Sequence, residues 1–150
     1  MATIIDGKAL AKKLNAQTSE RVKQLQDQHG ITPGLVVIIV GTDPASQRYV
    51  RNKHRTAVRL GIYSIVRELP DTITQDELLK VVQEYNQDPK ITGILVQDPL
   101  PKQINEKQIT RSILPEKDVD GFHPESVGAL SIGQEGYLSC TPAGMNITLI

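Results

Sequence analysis

Apolar residues along this chain follow two spacings, one typical of buried strands and one typical of helices. Three runs rich in Val, Ile and Leu, at 35–41, 62–69 and 91–97, predict β-strands. The first run, LVVIIVG, is apolar without interruption, which is typical of a strand covered on both faces. Stretches with apolar residues at helical spacing separate the runs, so strand and helix alternate along this part of the chain.

The helical stretches carry recognisable start and stop signals. Asp6 is a candidate N-cap for a helix that ends at Gly30, and Asp43-Pro44 begins another that reaches Leu60. Thr74 and Glu77 have the spacing of a capping box. A short helix is predicted over 105–113. Three rounds of alternation predict an α/β fold, an open and mainly parallel sheet with helices on both faces in three layers.

The pattern changes after residue 114. The segment PEKDVDGFHPESVG has the composition of a loop, and the region 129–139 is compatible with a small hairpin around Gly133 to Gly136. Thr141-Pro142 then predicts the start of a new helix. This helix reaches Ile150 with no stop signal, so we expect the chain to be truncated at this point.

Composition excludes several classes of protein. The 150 residues suffice for one domain, and 17 basic residues balance 17 acidic ones, so no global field attracts nucleic acid or a membrane surface. One Phe and no Trp argue against a platform for stacked bases. The single cysteine, Cys140, excludes an internal disulfide and favours the cytoplasm, and this residue is expected to be a small buried apolar group without a nucleophilic role. No apolar run is long enough to span a bilayer.

Motifs for common cofactors are missing from the sequence. It contains no G-x-G-x-x-G after a strand, no phosphate-binding G-x-x-x-x-G-K-[ST] and no serine nucleophile elbow. His29, His54 and His123 are scattered, and Cys140 has no partner at metal-ligand spacing, so no metal site is predicted.

Candidate chemistry gathers where the carboxyl ends of parallel strands meet, the usual ligand-binding edge of an open sheet. Tyr49 and Lys53 are four residues apart and share one helix face after the first strand. Burial disfavours the charged form of an amine, and a neutral amine can act as a general base, while the tyrosine ring offers a flat surface. The alternative is that Lys53 extends to water and Tyr49 packs in the core.

Two further segments should reach the same edge. Gln97 closes the third strand, where its amide can orient an amine or a ligand carbonyl; alternatively, it merely caps the strand. Asp118 and Asp120 of the DVDG loop should point to opposite sides, so only one should face a cleft. A carboxylate there suits a guanidine-like ring edge because it accepts two parallel hydrogen bonds. The alternative is a solvated Asp-Gly turn.

Four of these segments together resemble a known family. The string VGTDPASQRYVRNK, the strand GILVQ followed by a Pro-Leu-Pro turn, the loop PEKDVDGFHP and the run CTPAG are similar to the bifunctional methylenetetrahydrofolate dehydrogenase/cyclohydrolase family, in its order and spacing. The resemblance covers residues 5–144. It implies oxidation of 5,10-methylenetetrahydrofolate with NADP or NAD, then hydrolysis of the 5,10-methenyl cation to 10-formyltetrahydrofolate, in one-carbon metabolism that supplies purine biosynthesis.

The resemblance also implies roles for individual residues. Lys53 matches the catalytic lysine beside the one-carbon bridge, and Gln97 matches the glutamine that contacts and tunes it. Tyr49 matches the tyrosine that stacks on the folate rings, and Asp120 matches the carboxylate that binds the pterin edge. Val96, beside Gln97, is expected to contact the substrate. A lysine near a cationic intermediate should work best in its neutral form.

The same resemblance implies a division into domains. Residues 1–139 would form the folate-binding catalytic domain, and 140–150 would begin the helix that connects to a dinucleotide-binding domain absent from this chain. NADP or NAD would be bound mainly by that missing domain, and the full-length protein would be a homodimer. The 150-residue chain by itself is expected to lack dehydrogenase activity.

Three positions depart from the family pattern. Asp98 stands where an apolar residue is usual, Ser126 replaces an Asn, and Ser139 replaces a Pro. A carboxylate at position 98 would favour the charged form of a nearby lysine and so oppose a neutral base. Two other functions therefore stay open: a folate- or ligand-binding domain without turnover, and a Schiff-base lyase that uses Lys53 as nucleophile.

Overall fold

The fold of residues 6–149, side chains to residue 147, is described by a computed structural model. It is an α/β fold with three strands and six α-helices among these residues, which confirms the predicted class. The elements in chain order are α1 (Gly7–His29), β1 (Gly34–Val40), α2 (Pro44–Arg59), β2 (Tyr63–Leu69), α3 (Gln75–Gln87), β3 (Gly93–Gln97), α4 (Glu106–Ser112), a 3₁₀ turn (Pro115–Lys117), α5 (Pro124–Ser131) and α6 (Cys140–Leu149).

The sheet is parallel throughout, in the order β2-β1-β3. Strand β1 is central and buried, as its uninterrupted apolar sequence predicts, whereas β2 is an edge strand and half-exposed. One face carries Val36, Ile38 and Ile94, which pack with α3 and α4. The other carries Val37 and Leu95, which pack with Val50 of α2. The helices therefore cover both faces, as the alternation predicts.

Local capping explains where the predicted helices begin. The Asp6 carboxylate accepts hydrogen bonds from two backbone N–H groups of α1, and Gly30 ends that helix in the left-handed conformation. Asp43 caps α2, with Pro44 in its first turn. Thr74 and Glu77 form the reciprocal capping box that their spacing predicts. The helix over 105–113 is confirmed as α4, capped by the Asn105 side chain.

The chain after residue 114 differs from the sequence prediction. The hairpin considered for 129–139 is wrong, because the helix α5 occupies the first part of this region and no strand follows it in the described chain. His123 caps α5 through Nδ1, Pro124 occupies its first turn, and Gly133 (φ +71°) ends it. The glycine that favoured a hairpin turn is thus a helix terminator. Helix α6 begins at Cys140, one residue before the predicted Thr141, and Ile150 lies outside the described residues.

Candidate active site

Helix α2 presents two candidate residues beside its buried face. It packs on the sheet through Ser46, Val50 and Ala57, and Tyr49 and Lys53 lie next to that face, one turn apart. Tyr49 is 65% exposed, so the alternative prediction that it packs in the core is wrong. Lys53 is half-buried and points towards the sheet edge, where it has a polar partner.

The partner of Lys53 is Gln97, at the carboxyl end of β3. Lys53 Nζ donates a hydrogen bond to Gln97 Oε1 at 3.1 Å. The other end of the same amide is held as well, since Gln97 Nε2 donates to the Asp98 carbonyl at 2.7 Å. An amide bound at both ends has its orientation fixed, so its oxygen can face only the lysine. The sequence prediction that these two segments meet is confirmed.

The DVDG loop separates its two carboxylates, as predicted. Asp118 is buried, and its Oδ2 accepts hydrogen bonds from the His123 backbone N–H and from Ser126 Oγ, each at 2.8 Å. Asp120 is half-buried and lines the cleft that Tyr49 and Lys53 also line. The alternative of a solvated turn is therefore wrong for Asp118, and one carboxylate faces the cleft.

Burial dominates the electrostatics of the cleft. It raises the pKa of the Asp120 carboxyl; the Lys53 ammonium opposes this shift and the Asp118 carboxylate adds to it. The pKa of Asp98 is also raised, first by burial and then by repulsion from Glu106 and Asp120, with Lys53 acting weakly in the opposite direction. Repulsion from the two acidic residues therefore affects the pKa of Asp98 more than attraction to Lys53 does.

The cleft has a volume of about 730 Å³ and lies on the α2 side of the sheet. This volume is within the range of about 300–1,000 Å³ that small-molecule sites occupy. Its wall is mostly apolar, with Lys53 and Asp120 as its charged groups in the described chain. The cleft runs along this face of the sheet to Pro33 and Ile62, which immediately precede the amino ends of β1 and β2. It can accept a flat, largely apolar ligand with a polar edge.

One sequence prediction about an individual residue, the burial of Cys140, is wrong, and another, the substrate contact of Val96, stays a prediction. Cys140 is exposed, at the start of α6 on the rim of the cleft, and is not the buried apolar group that was expected. The reason is that α6 packs little of its described length against the domain, so its first residue stays in contact with solvent. Val96 faces the opposite side of β3 from the large cleft, because successive strand residues alternate. Its side chain lines a separate cavity of about 20 Å³, with Asp98 and Asp120.

The N-terminus of α2 lacks the form of a pyrophosphate site. The turn between β1 and α2, where a pyrophosphate would lie on the helix N-terminus, is Gly41-Thr42-Asp43. The Asp43 carboxylate already occupies this N-terminus, since it accepts from Ser46 N at 2.8 Å and Ser46 Oγ at 2.7 Å. The negative charge of a pyrophosphate would be repelled by this carboxylate. Within residues 6–149 we also find no group of three His, Cys, Asp or Glu side chains arranged to hold a metal ion.

The sequence matches a family model over residues 5–120, described as the tetrahydrofolate dehydrogenase/cyclohydrolase catalytic domain. The matched segment contains the Lys53–Gln97 pair and Asp120. The chain belongs to this family. Membership agrees with the resemblance of the four motifs, and it places the cleft in a domain that the family uses for catalysis.

Known members of the tetrahydrofolate dehydrogenase/cyclohydrolase family are similar along nearly the whole chain. The bifunctional protein FolD of Levilactobacillus brevis is 58% identical over 147 residues, 97% of this chain and 51% of that protein. The crystal structure of FolD from Campylobacter jejuni is 46% identical, with a TM-score of 0.95, over 98% of this chain and 52% of its own. The Trypanosoma brucei enzyme, solved with NADP and an inhibitor, is 37% identical, with a TM-score of 0.91, over 97% and 50%. This chain spans about half the length of these relatives.

Several residues that hold the site in place are not evident from the sequence. Asn86 binds both the Ser112 carbonyl and the Leu114 N–H, at 2.7 and 3.1 Å. Lys117 Nζ donates to three carbonyls at the end of α3, at 2.7 to 3.0 Å. These contacts fix the segment that leads into the DVDG loop. Their partners are 26 to 32 residues away in sequence, so no local pattern predicts them.

The absence of a membrane helix is consistent with the apolar pattern of the sequence. In the part of the chain that the structure describes, no helix has the length and apolar character needed to cross a bilayer.

Proposed function

We propose that the protein oxidises 5,10-methylenetetrahydrofolate to the 5,10-methenyl cation with NADP or NAD, and hydrolyses that cation to 10-formyltetrahydrofolate. This chain would supply the folate pocket and the groups for hydrolysis. The observation that carries the proposal is the 3.1 Å hydrogen bond between Lys53 Nζ and Gln97 Oε1, at a cleft that Tyr49 and Asp120 also line. Family membership and relatives named as bifunctional FolD proteins support it.

Folate recognition would use the two ends of the cleft differently. The Asp120 carboxylate accepts two parallel hydrogen bonds from the 2-amino and N3–H groups of the pterin. Tyr49, whose ring is largely exposed in the absence of ligand, stacks on the folate ring system. A ligand held at its pterin edge and stacked on this ring would have its one-carbon bridge towards Lys53. Val96 would act only indirectly, through the wall behind Asp120, because its side chain faces away from the cleft.

Hydrolysis would rest on Lys53 and Gln97. Water attacks the one-carbon centre of the methenyl cation, forming a C–O bond, while the neutral Lys53 amine accepts one of its protons. The bond from this carbon to N5 then breaks, N5 takes a proton, and the formyl group remains on N10. Gln97 Oε1 accepts a hydrogen bond from one N–H of the amine. This bond would limit the directions in which the nitrogen lone pair can point.

Oxidation would need a group that these residues do not hold. The nicotinamide dinucleotide supplies a hydride acceptor, and the α2 N-terminus is closed to its pyrophosphate by Asp43. We propose that NADP or NAD is bound mainly by a further domain outside this chain, with 1–139 as the catalytic domain and 140–150 as the beginning of the connection. The exposed course of α6 supports this division.

The cellular location and the partners of the protein are proposed from its composition and from the family resemblance. The single cysteine and the balance of charges support a cytoplasmic protein without nucleic-acid or membrane partners. A homodimer is proposed from the family resemblance alone. Because 10-formyltetrahydrofolate carries a formyl group ready for transfer, formyl-transfer steps such as those of purine biosynthesis would consume the product.

The proposal is tested by hydrolysis of 5,10-methenyltetrahydrofolate by the full-length protein, followed by loss of its absorbance. We expect fast hydrolysis by the parent and background hydrolysis by Lys53→Met, because the methyl thioether cannot accept a proton. Lys80→Met, at an exposed lysine of α3 outside the cleft, is the matched control and should behave like the parent. Equal background rates in all three would overturn the catalytic proposal. Folate binding without turnover would then identify a binding domain, and borohydride trapping of a carbonyl substrate would identify a lyase.

A further inference from the structure

The loop that carries Asp120 is held far more firmly than an ordinary surface turn. Asp118 forms an isolated parallel bridge with Ile94, which joins the start of the loop to β3. One residue later, Val119 packs over Gly93, where an added Cβ would lie only 2.5 Å from Val119 Cγ1. The chain is therefore fixed immediately before Asp120.

The chain is also fixed immediately after Asp120. Gly121 has φ +68°, and a Cβ there would lie 2.8 Å from the Tyr137 carbonyl oxygen, so the backbone is both turned and enclosed. The Gly121 N–H donates to the Asp118 carbonyl at 3.3 Å. With both neighbours held, the position of the Asp120 carboxylate depends on this turn and on the rotation of its own side chain.

A buried carboxylate closes the turn. Asp118 is 2% exposed, and its Oδ2 binds the backbone N–H of His123 and the hydroxyl of Ser126, which is 5% exposed. Hydrogen bonds to a buried charged group are strong and costly to lose. They join the first residue of the loop to the first turn of α5, across the segment that contains Asp120. We call these three residues, Asp118, His123 and Ser126, the Asp118 brace.

We propose that the Asp118 brace positions Asp120 for the folate substrate and that Ser126 is a positioning residue of this site. The inference rests on the proposed function, which assigns the pterin edge to Asp120. Without the Ser126 hydroxyl, the buried Asp118 carboxylate loses one of the two hydrogen-bond donors that it has among the described residues, and the turn relaxes to satisfy it. Two parallel hydrogen bonds require an exact carboxylate orientation, so substrate binding weakens. Lys53 and Gln97 lie on α2 and β3 and bind neither Asp118 nor Ser126, so the rate of the bound substrate is preserved.

The test separates binding from turnover in the hydrolysis of 5,10-methenyltetrahydrofolate by the full-length protein. For Ser126→Ala we expect KM to rise about five- to tenfold, while kcat stays within about twofold of the parent. Ser126→Thr keeps the hydroxyl and should restore KM. Ser131→Ala is the matched control, because its hydroxyl donates to the Val127 carbonyl of its own helix α5 and to no other group among residues 6–149. Ser126→Cys, a similar volume with a weak donor, provides the same comparison if the alanine variant fails to fold.

A double variant distinguishes positioning from a general loss of stability. If Ser126 acts through Asp120, adding Ser126→Ala to Asp120→Asn should raise KM by less than about twofold further. The positioning role of the Asp118 brace would be wrong if a folded Ser126 variant had an unchanged KM, or if the two substitutions were fully additive in the double variant. In either case, an active parent would leave the proposed function intact. An inactive parent that binds no folate overturns the proposed function itself, and the role of the brace with it.

Discussion

The Gln97 side chain connects Lys53 to the backbone carbonyl of Asp98, the residue that follows Gln97. Its Oε1 accepts from Lys53 Nζ at 3.1 Å, while its Nε2 donates to the Asp98 carbonyl at 2.7 Å. The second bond prevents the amide from rotating, because a flipped amide would place its NH₂ group against the lysine and its oxygen against a carbonyl. The lysine therefore faces an acceptor of fixed direction, so Gln97 sets the position of Lys53 Nζ.

The first prediction concerns this pair. Gln97→Leu keeps a side chain of comparable volume but removes the acceptor, so the amine of Lys53 loses the one side-chain hydrogen-bond partner that it has in the described chain. We expect the methenyl hydrolysis rate to fall about 10²-fold, the lower end of the contribution of a positioned proton acceptor. Stopped-flow absorbance measures the rate, and equilibrium titration measures folate affinity, which should change much less.

The double variant Lys53→Met, Gln97→Leu is the control for this prediction. Since Gln97 is expected to act through Lys53, the double variant should be no slower than Lys53→Met alone. If Lys53→Met keeps hydrolysis above background and the double variant abolishes it, Gln97 contacts the reacting atoms independently, and the positioning role assigned to it is wrong.

Much of the fold follows from local patterns in the sequence. Strand β1 is predicted from its apolar run, and α3 from the Thr74–Glu77 capping box, because each signal acts on residues within one turn or one strand. The meeting of Lys53 and Gln97 also follows, since parallel strands place their carboxyl ends at one edge. The chemical meaning of these residues came from the resemblance of whole motifs, as each residue by itself has an ordinary structural explanation.

What could not be predicted depends on contacts between distant residues. The segment 123–133 carries the signals of a helix, with Pro124 in the first turn and Gly133 at the end, yet its loop-like composition concealed them. The bond from Ser126 to Asp118 is visible only after α5 has formed. The resemblance of the motifs led us to expect that Ser126 departs from the family pattern, but only the structure shows that its hydroxyl donates to a buried carboxylate.

The second prediction concerns Asp98, the other departure near the site. Its carboxylate lies beside Glu106 and Phe122, outside the walls of the large cleft, and no ion pair within 4 Å joins it to Lys53 among the described residues. We therefore expect Asp98→Leu to change the hydrolysis rate at neutral pH by less than about threefold, since the interaction with Lys53 is the smallest of the effects that shift the pKa of Asp98. A pH–rate profile of parent and variant measures this. An increase of tenfold or more would show that Asp98 does restrain the base.

The third prediction is a pH dependence of folate binding. Burial raises the pKa of Asp120, and only the ionised carboxylate can accept two hydrogen bonds from the pterin edge. Affinity should therefore be complete well above the raised pKa and should be lost as pH falls through that pKa, which lies above the ordinary value of 3.8. Fluorescence titration with folate across about pH 4 to 8 measures this affinity. Asp120→Asn is the control and should bind folate weakly and with little pH dependence.

The raised pKa of Asp120 also predicts that its ionised form, which binds the substrate, lowers the stability of the folded protein. Because the pKa of Asp120 is higher in the folded than in the unfolded chain, ionisation of this group costs stability above the folded pKa, and the cost disappears as pH falls below the unfolded value. Asp120→Asn should therefore unfold at a higher temperature than the parent at neutral pH, and the difference should shrink towards pH 3.8. Thermal unfolding of both proteins over this range is the measurement. A variant less stable than the parent at neutral pH would mean that the ionised Asp120 stabilises the loop, and a role confined to ligand binding would then be wrong.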